Sequence, residues 1–253
     1  MKKQHWALLT FLLGVVQASP AIAAGEDHAA IFQQANAAYR GGDYAKAGSL
    51  YESLISRDWK RANVFYNLGN AYFKQKKLGL AILNYEKAKR LSPLDRDSKA
   101  NLTYVRGLLE YRIEDKRNWY LKMMDRALAS FTPIQIGIVS LSFAFLFLMS
   151  WTVSLYLASA SGWGWRRKTL LILTAICLSL WLSKGIHQTT VREAVVIKDQ
   201  AAVRYGPSYK DQISFKLGEG IKVRVKKTEG EWSRVILTNG ETGWMVHEEI
   251  GVI

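Results

Sequence analysis

Residues 62–95 read ANVFYNLGNAYFKQKKLGLAILNYEKAKRLSPLD, and the fold of the first half of the chain turns on this stretch. Set against the residues before it, it repeats with an offset of 34: Ala35 matches Gly69, Asn36 matches Asn70, Arg40 matches Lys74, Ala47 matches Ala81, and Tyr51 matches Tyr85. A fixed period of this size is the signature of stacked helical hairpins, each too small to bury its apolar side alone. Gly69 and Ala81 are small where the two helices of one unit cross, and Tyr72 and Tyr85 are sized to fill the neighbouring holes. These positions read as core, not chemistry.

Phe65, Leu68, Gly69, Tyr72, Ala81, Tyr85, Ala88 and Pro93 resemble the tetratricopeptide repeat position by position. The first copy, His28 to Arg61, departs from that pattern, with Gln34 and Trp59 where Leu and Pro are expected. A third helix from Asp95 to about Tyr111, carrying Asn101, Leu102 and Tyr104, reads as the cap, so residues 25–112 form an all-α repeat domain. The resemblance implies a concave surface lined by the first helix of each repeat. Its candidate peptide-binding residues are Asn36, Tyr39 and Arg40, then Tyr66, Asn70, Phe73 and Lys74. Amide and cationic donors can share the lone pairs of a carboxylate. An acidic or C-terminal carboxylate ligand is therefore one reading, although Ala29 and Phe32 leave the first helix without a lysine; a generic peptide groove is the other.

On either side the composition changes. Lys2 and Lys3, an apolar run from Trp6 to Val16, and Pro20 followed by Ala21, Ile22, Ala23 and Ala24 form the three regions of a secretory signal over residues 1–24, with cleavage after Ala23. Residues 113–132 read as an amphipathic connector helix. Thr132 and Pro133 start an uncharged run to Ala158, expected to span a membrane, and a shorter run over residues 169–186 is expected to return. Between them, residues 159–168 hold Trp163, Trp165, Arg166, Arg167 and Lys168, the aromatic and basic make-up of a cytoplasmic loop. The expected location is a bacterial inner membrane, crossed twice, with both soluble parts in the periplasm; Lys116, Arg117, Lys122 and Arg126 oppose that orientation and the signal favours it. Neither span holds Asp, Glu or Arg, which argues against an ion path, and the serines Ser140, Ser142, Ser154 and Ser179 suit helix packing. Cys177, the single cysteine, lies in the second apolar run, so no disulfide framework is expected.

In residues 187–253 the period changes to alternation, as in Val195 and Ile197, in Ile213, Phe215 and Leu217, and in Ile221, Val223 and Val225. Turn signals at Gly206–Pro207, Gly218–Gly220, Glu229–Gly230 and Asn239–Gly240 divide it into about five short antiparallel strands. The run Ala202 to Ser208, Trp232 with Val235, and the closing Asn239 to Trp244 resemble a bacterial SH3 domain, an all-β small barrel. Tyr205, Trp232 and Trp244 are its candidate ligand-binding aromatics, for peptide or for cell-wall glycan.

The formal net charge is +14, and the excess lies in the helical part, with 19 Lys and Arg against 12 Asp and Glu over residues 25–132. Such a balance suits nucleic acid, anionic lipid or acidic protein; the apolar spans favour the last two, and nucleic acid is not expected. No nucleophile–base pairing, paired carboxylates or metal-ligand spacing appears; His5, His28, His187 and His247 are scattered, and no phosphate-binding glycine pattern occurs. A non-enzymatic protein without cofactor or metal is expected.

Signal, repeat array, two-helix hairpin and SH3-like barrel, in that order, together with the Tyr66 to Pro93 repeat and the helix Asp97 to Arg106, resemble the BatE family of aerotolerance-operon proteins. The resemblance implies a membrane scaffold working with von Willebrand A domain membrane proteins and a MoxR-type ATPase, in envelope stress or in protein maturation. Two further functions stay open. One is a cell-wall sensor or tether binding peptidoglycan through the barrel; the other is an accessory subunit of a transporter or enzyme complex, with the hairpin as the main contact.

Overall fold

The computed structural model describes residues 20–109, 113, 118–120, 122–123, 130–156, 164–190 and 192–253. Most of the expected signal, much of the connector 113–132 and part of the loop 159–168 lie outside the described residues.

Five helices form the repeat stack: α1 (Pro20–Arg40), α2 (Tyr44–Ser56), α3 (Ala62–Lys74), α4 (Leu78–Leu91) and α5 (Arg96–Gly107). The turns between paired helices repeat as the sequence does. Gly42, at φ +83°, and Lys76, at φ +62°, stand 34 residues apart in the same left-handed conformation. Asp43 caps α2 by accepting from the Lys46 amide at 3.0 Å, and Asp95 caps α5 by accepting from the Ser98 amide at 2.9 Å. A Cβ on Gly69 would stand 2.8 Å from the Tyr85 ring, so α3 and α4 cross there only because the side chain is missing. Ala35, Ala47 and Ala81 are fully buried at the equivalent crossings. Trp59, which replaces the pattern's proline, is held between a stacked His28 ring at 5.8 Å and the Arg61 guanidinium at 4.7 Å, with Phe32 edge-on.

Two long helices follow. α6 (Pro133–Tyr156) opens on a reciprocal cap: Thr132 Oγ1 accepts from the Gln135 amide at 3.2 Å, and Gln135 Oε1 accepts from the Thr132 amide at 2.8 Å. Its stretch Pro133–Val153 is long and apolar enough to cross a membrane, the one such helix among the described residues. In α7 (Gly164–Thr190) the apolar stretch is shorter, Lys168–Leu182. The two helices pack along each other. α7 begins inside the expected 159–168 loop and runs past residue 186, through Gly185 to Thr190, with no proline in its length to end it.

The remaining chain is an antiparallel sheet of seven strands: β1 (Arg192–Val196), β2 (Ala201–Arg204), β3 (Ile213–Leu217), β4 (Lys222–Glu229), β5 (Trp232–Ile236), β6 (Thr242–Val246) and β7 (Ile250–Val252), in the order β3-β2-β6-β5-β4-β1-β7. Val203, Leu217, Val223, Val235, Leu237 and Met245 fill its interior.

This barrel is seated directly on the repeat stack. β1 is buried on both faces: Ala194 and Val196 belong to the barrel core, while Val195 joins the apolar cluster of the helices. All three are 0 % exposed, so β1 reads as a continuous apolar run instead of an alternation. A Cβ on Gly79 would lie 2.9 Å from the Val196 carbonyl oxygen, and one on Gly220, at φ +81°, would lie 2.6 Å from Ile82 Cδ1. The Gly79 amide donates to Glu219 Oε2 at 2.7 Å; α4 has no acidic residue in its first turn and no side-chain cap from Lys77, so the barrel caps it. Glu86, 5 % exposed, is met by Arg106 at 2.6 Å, by Lys222 of the barrel at 3.7 Å and by Lys89 at 4.0 Å, and Lys222 also pairs with Glu193 at 2.7 Å. Burial alone would push the Glu86 carboxyl up, but Lys222, Lys89 and Arg106 together outweigh it and hold the group below the usual glutamate range. Arg90 reaches the Ile253 carbonyl at 2.6 Å. Repeat stack and barrel therefore form one body.

Candidate binding surfaces

The first helices of the two repeats carry a polar ladder. Asn36 Oδ1 accepts from the Tyr51 hydroxyl at 2.6 Å and from Asn67 Nδ2 at 3.1 Å. One repeat on, Asn70 Oδ1 accepts from the Tyr85 hydroxyl at 2.6 Å and from Asn101 Nδ2 at 3.0 Å. Burial pushes the Tyr51 hydroxyl up to about 12 and that of Tyr85 higher still, so both remain protonated donors. Each asparagine carbonyl thus has both lone pairs occupied. Among the described residues neither NH2 group of Asn36 or Asn70 donates a hydrogen bond, and these donors are what the ladder leaves for a ligand.

A cleft of about 90 Å³ opens beside them, lined by Asn36, Tyr39, Arg40, Tyr51, Asn67 and Asn70. That is the space of a few water molecules, enough for a carboxylate or an amide head group and too little for a large side chain. Arg40 is exposed at its edge and makes no ion pair among the described residues. Two amide donors and one guanidinium converging on a small concavity form a donor-rich seat for a carboxylate or a peptide carbonyl.

Of the seven groove candidates, Asn36, Tyr39, Arg40 and Asn70 come together in this cleft. Tyr66 stands beside it, its hydroxyl accepting from Asn101 at 3.2 Å. Phe73 is elsewhere, edge-on to Tyr104 at 5.9 Å, and the exposed Lys74 does not line the cleft. Tyr51 and Asn67 were missed as lining residues. The signal for Asn67 lay in the repeat itself, since Asn67 and Asn101 are also 34 apart.

Of the barrel candidates, Trp232 and Trp244 stand on the same face of the neighbouring strands β5 and β6, two residues apart in register. Tyr205 is 71 % exposed, whereas Trp232 is 7 % exposed and lies beneath Tyr209, edge to face at 4.9 Å. Trp244 is half-buried on β6, opposite Arg204 on β2 and opposite Arg234 on β5. The Ser233 hydroxyl meets His247 Nδ1 at 2.9 Å, but Ser233 is 0 % exposed, so the pair ties β5 to the turn after β6 and offers no accessible nucleophile.

Comparison with known families finds two matches: residues 62–94 match the tetratricopeptide repeat, and residues 198–250 match the bacterial SH3 domain. No curated protein matches the chain. Domains of these two kinds serve protein binding and cell-wall binding, which makes an adaptor the functional class.

Proposed function

We propose that this chain is a non-enzymatic, membrane-anchored adaptor that holds an extended segment of a partner protein in its repeat groove, through a carboxylate seated against Asn36, Asn70 and Arg40. The observation that carries the reading is the ladder itself: it saturates both asparagine carbonyls and leaves both NH2 groups, without an acceptor among the described residues, beside the Arg40 guanidinium. The docking of barrel on repeats limits how the chain between them can cross. Two modules in contact lie on one side of a membrane, so the chain between them crosses an even number of times. If α6 crosses, α7 does too, on its shorter apolar stretch Lys168–Leu182. The signal-like N-terminus puts that side in the periplasm. The order of parts, similar to the BatE family, makes von Willebrand A domain membrane proteins and a MoxR-type ATPase complex the first partners to test.

The test uses the full chain in lipid nanodiscs and an array of extended peptides, each made with a free C-terminal carboxylate and as its amide. Binding is expected for the free acids and weakened at least tenfold by Arg40→Ala and by Asn70→Asp. The aspartate keeps an acceptor for Tyr85 and Asn101 while removing the free donor and adding a repelling charge. Equal binding of acid and amide overturns the carboxylate reading. A second reading, a tether to peptidoglycan, draws on the exposure of Tyr205 and Tyr209. It requires wall binding that is lost on replacing those tyrosines and kept in the groove variants.

A further inference from the structure

The outward face of the barrel carries a row of side chains that neither the groove nor the docking contact uses. Register places Arg204 of β2 opposite Trp244 of β6, Trp244 opposite Arg234 of β5, and Arg234 opposite Lys227 of β4. Four neighbouring strands thus present cation, indole, cation and cation side by side. Like charges directly opposite, as at Arg234 and Lys227, oppose sheet formation, so the barrel carries this pairing at a cost. Arg224 lies further along the same face of β4, and Lys226 sits at the bulge between Val225 and Lys227. Arg224, Lys226 and Arg234 are exposed and make no ion pair among the described residues. Lys227 pairs with Glu229, and Arg204 donates to the Asp211 carbonyl at 2.6 Å. The acids near the row are Glu229 and Glu231 at the hairpin end and Glu193 of β1, which stands opposite Arg224 and pairs with Lys222 at 2.7 Å; against Arg204, Arg224, Arg234, Lys226 and Lys227 the face keeps a cationic excess.

The position of the row names its partner. β1 begins at Arg192, two residues after the end of α7 at Thr190, and Arg192 stands opposite Val225. Lys226 and Lys227 therefore lie past the start of β1, at the end of the sheet where the chain arrives from α7. The docked end of β4, at Lys222, is the other end. From Ser183 to Thr190, beyond the apolar stretch, α7 rises about 12 Å at about 1.5 Å per residue. The headgroup layer is roughly 5–8 Å thick on each side, and the reach of charge at physiological salt is about 8 Å. The arginine and lysine side chains cover the remaining gap.

We infer that the Arg204–Trp244–Arg234–Lys227 face, with Arg224 and Lys226, rests on the anionic headgroups of the membrane in which α7 is anchored. The indole sits at the headgroup level and the cations meet lipid phosphates. This contact sets the tilt of the whole docked body and so the direction in which the repeat groove opens. It rests on the proposed membrane anchoring.

The test reconstitutes the full chain in nanodiscs of zwitterionic lipid, or of zwitterionic lipid mixed with phosphatidylglycerol, and reads lysine acetylation by mass spectrometry. Lys226 and Lys227 are expected to be acetylated several-fold more slowly in the anionic discs, with Lys46 on the repeat stack unchanged as the internal control. High salt, and the charge reversals Arg224→Glu with Arg234→Glu, are expected to abolish the protection. Both arginines are exposed, so the fold tolerates their replacement. Equal acetylation in the two kinds of disc overturns the inference and leaves the anchoring intact. Protection by purified wall fragments instead of phosphatidylglycerol overturns it in favour of an anionic wall polymer. A chain that fails to enter either disc overturns the anchoring itself, and this inference with it.

Discussion

Replacing Gly79 by alanine has opposite effects in the two environments that the residue experiences. Within α4 alone the change removes a glycine from a helix, which stabilises by about 0.5–1 kcal/mol. In the docked body the new methyl group meets the Val196 carbonyl oxygen at 2.9 Å, Ile197 Cα at 3.0 Å and Glu219 Cβ at 3.1 Å. Two of the three are backbone and cannot turn aside as a side chain would. Overpacking of this kind costs about 1–3 kcal/mol, and displacing Glu219 from the Gly79 amide adds about 1 kcal/mol. The helix gain is present whether or not the barrel is docked, so the effect on docking is about 2–4 kcal/mol, which corresponds to roughly thirtyfold to several hundredfold faster opening of the contact. Amide hydrogen exchange on the full chain reads this directly. Exchange is expected to accelerate by that factor at Val195, Val196 and Ile197 and at β7, while α2 and α3 change little. Slower exchange throughout, as helix propensity alone dictates, would refute the packing of barrel against repeat.

Asn70→Ala removes the acceptor of two donors, one of them the hydroxyl of the fully buried Tyr85, and is expected to lower stability by about 2–3 kcal/mol in chemical denaturation. The Glu86 carboxyl is held below its ordinary value of 4.5 in the folded chain, so it stabilises the docked state above that pH, and the contribution is lost as pH falls through the folded value. Exchange at β1 is therefore expected to accelerate on acidification below about pH 4.5, with Glu86→Gln giving fast exchange at neutral pH and little further change. Lys76→Gly places glycine in the left-handed turn that Gly42 already occupies one repeat earlier, and is expected to raise the thermal midpoint through a gain of up to about 1 kcal/mol.

The repeat stack was legible because its information is periodic: Tyr51 and Tyr85, Asn36 and Asn70, and Ala47 and Ala81 carry one geometry twice. The barrel strands from β2 to β6 were legible because glycine-containing turns separate alternating runs. β1 and β7 were less so. The run Ala194 to Ile197 is apolar on both faces, and only the helices packed on its outer side explain why. The docking contact has no local signature at all. Gly79 and Glu219 are 140 residues apart, and each reads separately as a helix glycine and a surface carboxylate. Glu86 likewise reads as an ordinary helix residue until Lys222 is brought against it. In the groove, asparagines and a basic residue were visible as donors, but the ladder that consumes their carbonyls depends on Tyr51, Tyr85, Asn67 and Asn101 arriving from other helices. Of the aromatic barrel candidates, Trp232 was drawn under Tyr209 because β5 turns its first residue toward that loop, which alternation alone does not foretell.

The proposed arrangement places repeats and barrel as one body on one side of a membrane, with the chain between them crossing and returning. Its most direct test replaces Cys177 by serine and introduces a single cysteine at the exposed Lys46 of the repeat stack or at the exposed Lys210 of the barrel, then treats intact cells with a maleimide that cannot cross the inner membrane. Labelling of both positions before permeabilisation is the predicted result. Labelling of one position in intact cells and of the other only after the membrane is opened would contradict it.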